Sequence, residues 1–421
     1  MFLVLIVAIV LGVPVAWSLG LASLVGLVIK GSIPSLVFVQ RMFTGGDQFA
    51  LLAIPFFILA GNIMQEGGIS KRLIRFANSL VGSIQGGLSL VTIAACVFFG
   101  ALSGSSVATT AAIGSFMYPE MLKQGYPDNY ATAVSAVGGT LGIIIPPSIV
   151  FVLYGIATNT SIGELFMSGI IPGILSGLGL IVVAYIIARR RGFPRYSVFS
   201  WSEVAAAAKD AFWALLMPLI VLGGIYGGIF TPTEAAVIAV VYGLIVAVFV
   251  YHEASWRELY VLCSDSALVT VNIMFLVVMA ILFGWLLTIE NVPQQITQVF
   301  LSLTPSRFSF FLFINIFLLI AGMFLDIGAI TLIVAPLLLP IAEGLGIHPV
   351  HLGLVMTFNL SQGQITPPFG TCLFVAAGIS GRPIMEVFRE VLPFLAVQLL
   401  MIVVFSWMPG LAVWLPQLLT N

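Results

Sequence analysis

The sequence predicts an all-α polytopic membrane protein built as an inverted repeat, with two re-entrant helical hairpins and two broken transmembrane helices. Three observations carry this. Of 421 residues, 60% are hydrophobic and only 7% charged, whereas a soluble domain carries roughly a quarter charged residues. Several apolar runs reach the roughly 20 residues that cross a bilayer as helix. The chain also matches itself at a shift of 221 positions.

Taken in order, apolar length set against Gly, Pro and charge breaks predicts spans near 2–29, 33–64, 130–158, 162–188, 211–229, 234–251, 266–289, 350–378 and 388–416. Met1 leads directly into the first run without a basic n-region, so no cleaved signal is expected. Two segments, 88–122 and 308–345, are too long for one crossing and are interrupted by Ser103-Gly104-Ser105-Ser106 and by Asp326-Ile327-Gly328. They read as hairpins whose tips stop inside the bilayer, where irregular backbone is tolerated only if protein or an aqueous cavity surrounds it. The stretches 66–86, 291–305 and 200–210 mix apolar and charged residues and suit interfacial helices, with Trp201 as a headgroup anchor.

Short cytoplasmic loops collect Lys and Arg. With Arg189-Arg190-Arg191 inside, the nine spans put twelve of the fifteen basic residues inside and leave Lys30, Arg41 and Arg307 outside. A cytoplasmic N-terminus and an external C-terminus are expected. Net charge is −1, which gives nucleic-acid phosphates nothing to hold.

At the 221-residue shift Pro119 falls on Pro340, Gly142 on Gly363, Pro147 on Pro368, Pro172 on Pro393 and Ser105 on Asp326. Looser upstream matches put Pro14 on Pro232 and Gly61 on Gly284. Two related halves are expected, 1–200 and 211–421, joined by the connecting helix 201–210. The topology opens the first hairpin to the cytoplasm and the second outward. Opposed repeats with helices broken near mid-depth are the architecture of secondary transporters.

The breaks carry the chemistry. Ser103 to Ser106 and Asp326 to Gly328 each open a helix with oxygen-bearing side chains, and helix N-termini favour anions while unwound carbonyls favour small cations. Opposite them lie Gly138-Gly139-Thr140-Leu141-Gly142-Ile143-Ile144-Ile145-Pro146-Pro147-Ser148 and Asn359-Leu360-Ser361-Gln362-Gly363-Gln364-Ile365-Thr366-Pro367-Pro368. Paired prolines remove two N–H donors and leave nearby carbonyls without helical partners. Oxygen donors of this kind suit Na⁺ better than a transition metal. Asp326 stands out because an ionisable group in an apolar membrane segment is costly. Glu234, beside Pro232, is explained by its place in a first helical turn. Cys96, Cys263 and Cys372 share no metal-binding spacing, and His252, His348 and His351 sit at the ends of apolar runs. An intramembrane serine protease using Ser103 would need a histidine in reach, and none is expected there.

Ala53-Ile54-Pro55-Phe56-Phe57-Ile58-Leu59-Ala60-Gly61, Ser103-Gly104-Ser105-Ser106-Val107-Ala108-Thr109, Ile145-Pro146-Pro147-Ser148, Phe230-Thr231-Pro232-Thr233-Glu234-Ala235-Ala236 and Thr366-Pro367-Pro368-Phe369-Gly370 together resemble the large membrane subunit of tripartite ATP-independent periplasmic (TRAP) transporters. The resemblance covers nearly the whole chain. It implies a protein of the bacterial inner membrane, not an enzyme, importing an organic acid on a Na⁺ gradient by an elevator movement. It implies two partners, a small four-helix membrane subunit and a periplasmic substrate-binding protein. Carried over, one Na⁺ site involves Ser103, Ser105, Gly142, Ile145 and Pro147, and a second Asp326, Gly328, Gly363 and Thr366. The substrate lies between the tips, near Ser106, Thr109, Thr140, Pro146, Ser361 and Pro367. Sialic acid is the favoured substrate, with C4-dicarboxylates and other sugar or keto acids as alternatives. A binding-protein-independent Na⁺/carboxylate symporter of related fold is the rival reading.

Overall fold

The computed structural model describes residues 1–31, 34–303 and 306–420, and within them the fold is helical, the only extended pairing being an isolated bridge between Gln85 and Arg195. Position 33 of the 33–64 run, positions 304–305 of the 291–305 stretch and position 421 lie outside the described residues.

The chain opens with α1 (Phe2–Val10) and α2 (Val15–Lys30). The run 2–29 is therefore not one crossing. Gly12 takes φ +82°, and Val13 N–H donates to the Ala8 carbonyl at 3.0 Å, closing α1 with a left-handed cap. Pro14 then starts α2, and the two helices run antiparallel, with Met1 against Gly26. Met1 thus sits at the Lys30 end of the hairpin, so the expected placement of the N-terminus and Lys30 on opposite sides is corrected. The run 33–64 is divided as well, into α3 (Ser35–Gly46), a 3₁₀ turn at Phe49–Leu52 and α4 (Ala53–Glu66).

After α5 (Ile69–Val81) come α6 (Gly87–Ser103) and α7 (Ser106–Lys123), an antiparallel pair in which Thr92 reaches Met121. The next predicted span is interrupted: α8 (Asp128–Gly139) passes through a 3₁₀ turn at Thr140–Ile143 and an irregular stretch before α9 (Ile149–Thr158). α10 (Ile162–Arg191) follows. α11 (Trp201–Asp210) then meets α12 (Phe212–Tyr226) at a 62° bend.

The chain continues with α13 (Pro232–Ile245), extended by a π turn to Val250, and α14 (Trp256–Ile289). Thr231 and Glu234 form a reciprocal capping box on α13, which absorbs Glu234 as a structural residue. α15 (Val292–Leu303), α16 (Arg307–Phe324), α17 (Ile327–Gly344), α18 (Pro349–Gly363), α19 (Thr371–Ser380), α20 (Ile384–Trp407) and α21 (Gly410–Thr420) complete the chain. α16 and α17 return on each other, since Arg307 Nε donates to the Leu345 carbonyl at 2.8 Å.

Among the described residues seven helices, or eight if the bent α11–α12 pair is one, are long and apolar enough to cross a membrane. Both arms of the α16–α17 pair are among them. Fewer appear than the nine predicted spans because 2–29, 130–158 and 350–378 divide into shorter helices. α2, α3, α4, α12, α13 and α14 pack largely on one another, as do α6 to α10 and α16 to α20, and the two sets meet where α4 packs on α6 and α14 on α17. α7 packs on α8 and on α19, while α17 packs on α18 and on α9.

Candidate functional site

Both hairpin tips sit on helix breaks. Ser105 caps α7, its side chain accepting from Ala108 N–H at 3.3 Å, and Asp326 caps α17 by accepting from Ala329 N–H at 3.2 Å. The two caps and their partners are each 221 residues apart, as are the starts and ends of α7 and α17.

The first tip is closely packed. Ser103 Oγ lies 2.8 Å from Thr109 Oγ1, and both hydroxyls approach the Ser105 carbonyl, at 3.3 and 2.8 Å. This cluster of oxygens rests on Gly142, where a Cβ would come within 2.6 Å of the Ser105 carbonyl oxygen. Gly104 takes φ +61° and lies against the Pro147 carbonyl, while its own carbonyl accepts from Ile149 N–H at 3.3 Å. Ser148 finishes the break by donating to the Ile143 carbonyl at 2.6 Å and capping α9. Ser103, Ser105, Gly142 and Pro147 are thus brought together. Ile145 and Pro146 instead line a separate apolar cleft of about 240 Å³ with Val97, Phe98 and Ala101.

The second tip is more open. Gly363 is pressed against the backbone of Gly322, and Phe369 N–H donates to the Met323 carbonyl at 3.2 Å. The Gln364 carbonyl accepts from Cys372 and Leu373 at 3.0 and 3.2 Å, which ties α19 back to the end of α18. Thr366 Oγ1 donates to the Gln362 carbonyl at 2.8 Å. Gly328 stands beside the Asp326 carboxylate and Leu153 of α9. Asp326, Pro368 and Phe369 are exposed, whereas Pro146, Pro147 and Ser148 are buried.

One cavity of about 540 Å³ is lined by Val107 from the first hairpin, Asp326 and Ile327 from the second, and Gln364, Phe369 and Phe374 from the second break. The second tip and the start of α7, just past the first tip, therefore face a common space. No lysine or arginine lines it among the described residues, so its one formal charge is Asp326. Nor is there, among the described residues, a group of three or more His, Cys, Asp or Glu side chains placed to hold a metal ion. What the breaks offer is carbonyl, hydroxyl, the side-chain amides of Asn359, Gln362 and Gln364, and a single carboxylate.

The model of the tripartite ATP-independent periplasmic transporter family, DctM component, matches residues 2–411. The chain belongs to this family. A C4-dicarboxylate TRAP transporter large permease protein of Vibrio cholerae is 41% identical over 444 residues, covering all of this chain and 97% of the relative. A sialic acid TRAP transporter permease protein of Haemophilus influenzae is 35% identical, covering 99% of this chain and 68% of that one. The crystal structure of the Alcanivorax borkumensis YdaH transporter aligns with a TM-score of 0.66 at 15% identity, over 89% of this chain and 87% of the other, which establishes likeness of fold. The relatives are transporter permeases rather than enzymes. In this TRAP large subunit Ser103 Oγ is engaged by Thr109 and Ser105, and the imidazole of His351 is held by the Phe405 carbonyl at 2.7 Å.

Of the six residues assigned to substrate, Ser106, Thr109, Thr140 and Ser361 are buried, and the hydroxyls of the last three bond within the fold. Pro367 is half-buried beside the open second break. Sequence reasoning missed Val107, Gln364, Phe369 and Phe374 as cavity walls. Gln364 stands inside the second break string and was its only unassigned polar residue after Gly363; the apolar three gave no signal.

Proposed function

We propose that this TRAP large subunit imports an organic acid anion together with Na⁺, using two inverted halves and an elevator movement. The single observation that carries this reading is one cavity walled both by Val107, beside the first tip, and by Asp326 of the second, its one formal charge among the described residues. An anion entering there is repelled by the carboxylate at low local dielectric until a cation neutralises it. Cation binding then precedes anion binding, which is coupling in thermodynamic terms.

Na⁺ is the cation the donors fit. The Ser103, Thr109 and Ser105 oxygens converge within 3.3 Å of one another, and the second break supplies the Asp326 carboxylate with carbonyls near Gly363 and Thr366. The first site takes Ser103, Ser105, Gly142 and Pro147, with Ile145 adjoining; the second takes Asp326, Gly328, Gly363 and Thr366. The exchanged packing of α7 on α19 and α17 on α9 supports opposed halves. The division into two helix groups supports a moving body carrying both tips against a scaffold of α2, α3, α4, α12, α13 and α14. With two Na⁺ per monoanion one net charge moves inward, worth about 2.3 kcal/mol per 100 mV, whereas a dicarboxylate dianion needs a third Na⁺ to gain the same.

A small membrane subunit and a periplasmic binding protein complete the tripartite assembly in the bacterial inner membrane. C4-dicarboxylates lead the candidate anions because that relative is matched at higher identity and over almost its full length; sialic acid is the second. The test is uptake into proteoliposomes holding both membrane subunits, with the binding protein added outside. Uptake is expected only with a Na⁺ gradient and the binding protein together, and full uptake in choline medium refutes the coupling.

A further inference from the structure

The outward face of the scaffold carries an acid that its own fold does not explain. α14 gives the ruler. Lys30 pairs with Glu290 just past its end, and Asn62 Nδ2 donates to Ser266 Oγ at 2.8 Å near the other. Between these polar markers α3 runs antiparallel along α14, with Arg41 stacked 4.9 Å over Trp285, Gly45 on Ile281 and Gly46 on Val278. Val278 stands twelve residues from each marker, about 18 Å along the helix in either direction. Asp47 follows Gly46 at this midpoint. It is exposed, and so are the apolar Leu36, Val39, Phe43 and Phe49 and the uncharged polar Gln40, Thr44 and Gln48 around it.

Local structure gives that carboxylate no role. Asp47 ends α3, the negative end of the helix dipole, where an acid is disfavoured. Its side chain caps no helix: as the C-cap residue of α3 it bonds through its backbone N–H to the Phe43 carbonyl, and the following 3₁₀ turn, Phe49–Leu52, has Gln48 before it and no side-chain cap. No hydrogen bond or ion pair reaches its side chain among the described residues. It lines a concavity of about 590 Å³ with Met42, Phe43, Thr44, Gly46 and Val278. A lone charge facing hydrocarbon is costly, and such residues pair with a partner.

We propose that this concavity seats a transmembrane helix of a separate membrane subunit, which presents a lysine or arginine near mid-span to the Asp47 carboxylate. The proposal rests on the reading of the chain as one component of a tripartite transporter. Lipid tails offer no pairing group. A second copy offers none suited either, because Arg41, the basic residue nearest this depth, is already stacked on Trp285.

The experiment co-expresses the chain with its cognate small membrane subunit and needs no transport. A photoreactive benzoylphenylalanine in place of Phe43 is expected to give one adduct with the combined mass of the two subunits. Asp47→Ala is expected to lower co-purified small subunit at least tenfold and Asp47→Glu to retain it, with the melting temperature of the isolated large chain unchanged in both. An adduct at twice the mass of this chain, adducts to lipid alone, or undiminished co-purification by Asp47→Ala overturns the proposal. So does reaction of Asp47→Cys, on a Cys263→Ser background, with a membrane-impermeant thiol reagent in the assembled complex, since that places water where the helix should lie. Loss of Na⁺ coupling in the uptake assay leaves all these readouts intact, so failure of the transport reading and failure of this one are separable.

Discussion

Gly142 lies directly under Ser105: a methyl group added at Gly142 would sit 2.6 Å from the Ser105 carbonyl oxygen, with Thr109 Oγ1 closer still. The closeness lets the broken helix approach the first tip backbone to backbone, and it leaves no slack.

Gly142→Ala is therefore expected to push the tip off its break. Overpacking of this kind costs about 1–3 kcal/mol, and the oxygens of Ser103, Ser105 and Thr109 lose their common centre. A lowered melting temperature and at least tenfold weaker Na⁺ dependence of uptake are expected. Gly378→Ala is the control, because nothing lies within 4 Å of a Cβ there; it should leave uptake unchanged and stability unchanged or slightly higher, as helix propensity favours Ala over Gly.

Asp326 combines two roles that substitution can separate. As the cap of α17 it accepts the Ala329 N–H, and losing a cap costs about 0.5–2 kcal/mol. As a carboxylate it sets the charge of the shared cavity. Asp326→Ser, the residue type found at the matching position 105, keeps the first role and removes the second. It should melt close to the parent while Na⁺-driven uptake falls at least tenfold. Asp326→Ala should lose both. Equal uptake by the parent and Asp326→Ser, measured across a Na⁺ series, would remove the carboxylate from coupling.

The breaks were legible because their residues conflict with helix in any context: Gly104 and Asp326 interrupt apolar runs, and Pro146-Pro147 and Pro367-Pro368 cannot donate. Register added what composition lacked, since Ser105 and Asp326 differ in chemistry yet perform the same cap 221 residues apart. The α1–α2 reversal was not legible. Leu11-Gly12-Val13-Pro14 reads equally as a kink in one span, and both arms are apolar on most faces, so periodicity assigns no inner side. Helix and span also need not coincide: the expected span began at 266, whereas the helix of α14 runs unbroken from Trp256 through the polar Ser264-Asp265-Ser266 stretch. Cavity walls such as Phe369 and Phe374 were invisible because an aromatic lining a cavity and one facing lipid have the same local sequence signature.

Arg72 and Arg75, one turn apart on α5, should differ sharply. Arg72 is mostly covered, stacked 3.7 Å over the Tyr251 ring, 2.8 Å from Glu253 and 3.4 Å from Asp210. Arg75 reaches Glu203 and Asp210 at 3.0 and 3.1 Å with both sides open to solvent. Exposed pairs contribute about 0.2–1 kcal/mol and weaken with salt. Arg75→Ala is thus expected to cost little, and less at 0.5 M salt than in low salt. Arg72→Ala loses packing on Tyr251 as well as charge and should lower the melting temperature several degrees with little salt dependence. Thermal melts at two ionic strengths decide it.

Ser176 of α10 donates to Gln398 Oε1 of α20 at 2.8 Å, joining these two long helices, and the Gln398 amide nitrogen has no partner among the described residues. Both residues are fully buried. Removing only the hydroxyl leaves a whole amide unsatisfied, at a penalty of about 1–3 kcal/mol, whereas replacing both groups by apolar ones removes the penalty with its cause. Ser176→Ala should accordingly destabilise more than the double variant Ser176→Ala/Gln398→Leu, and Gln398→Leu alone should fall between. Additive losses in a denaturation cycle would mean that water or another group already satisfies the amide, and that this contact does not hold the two helices together.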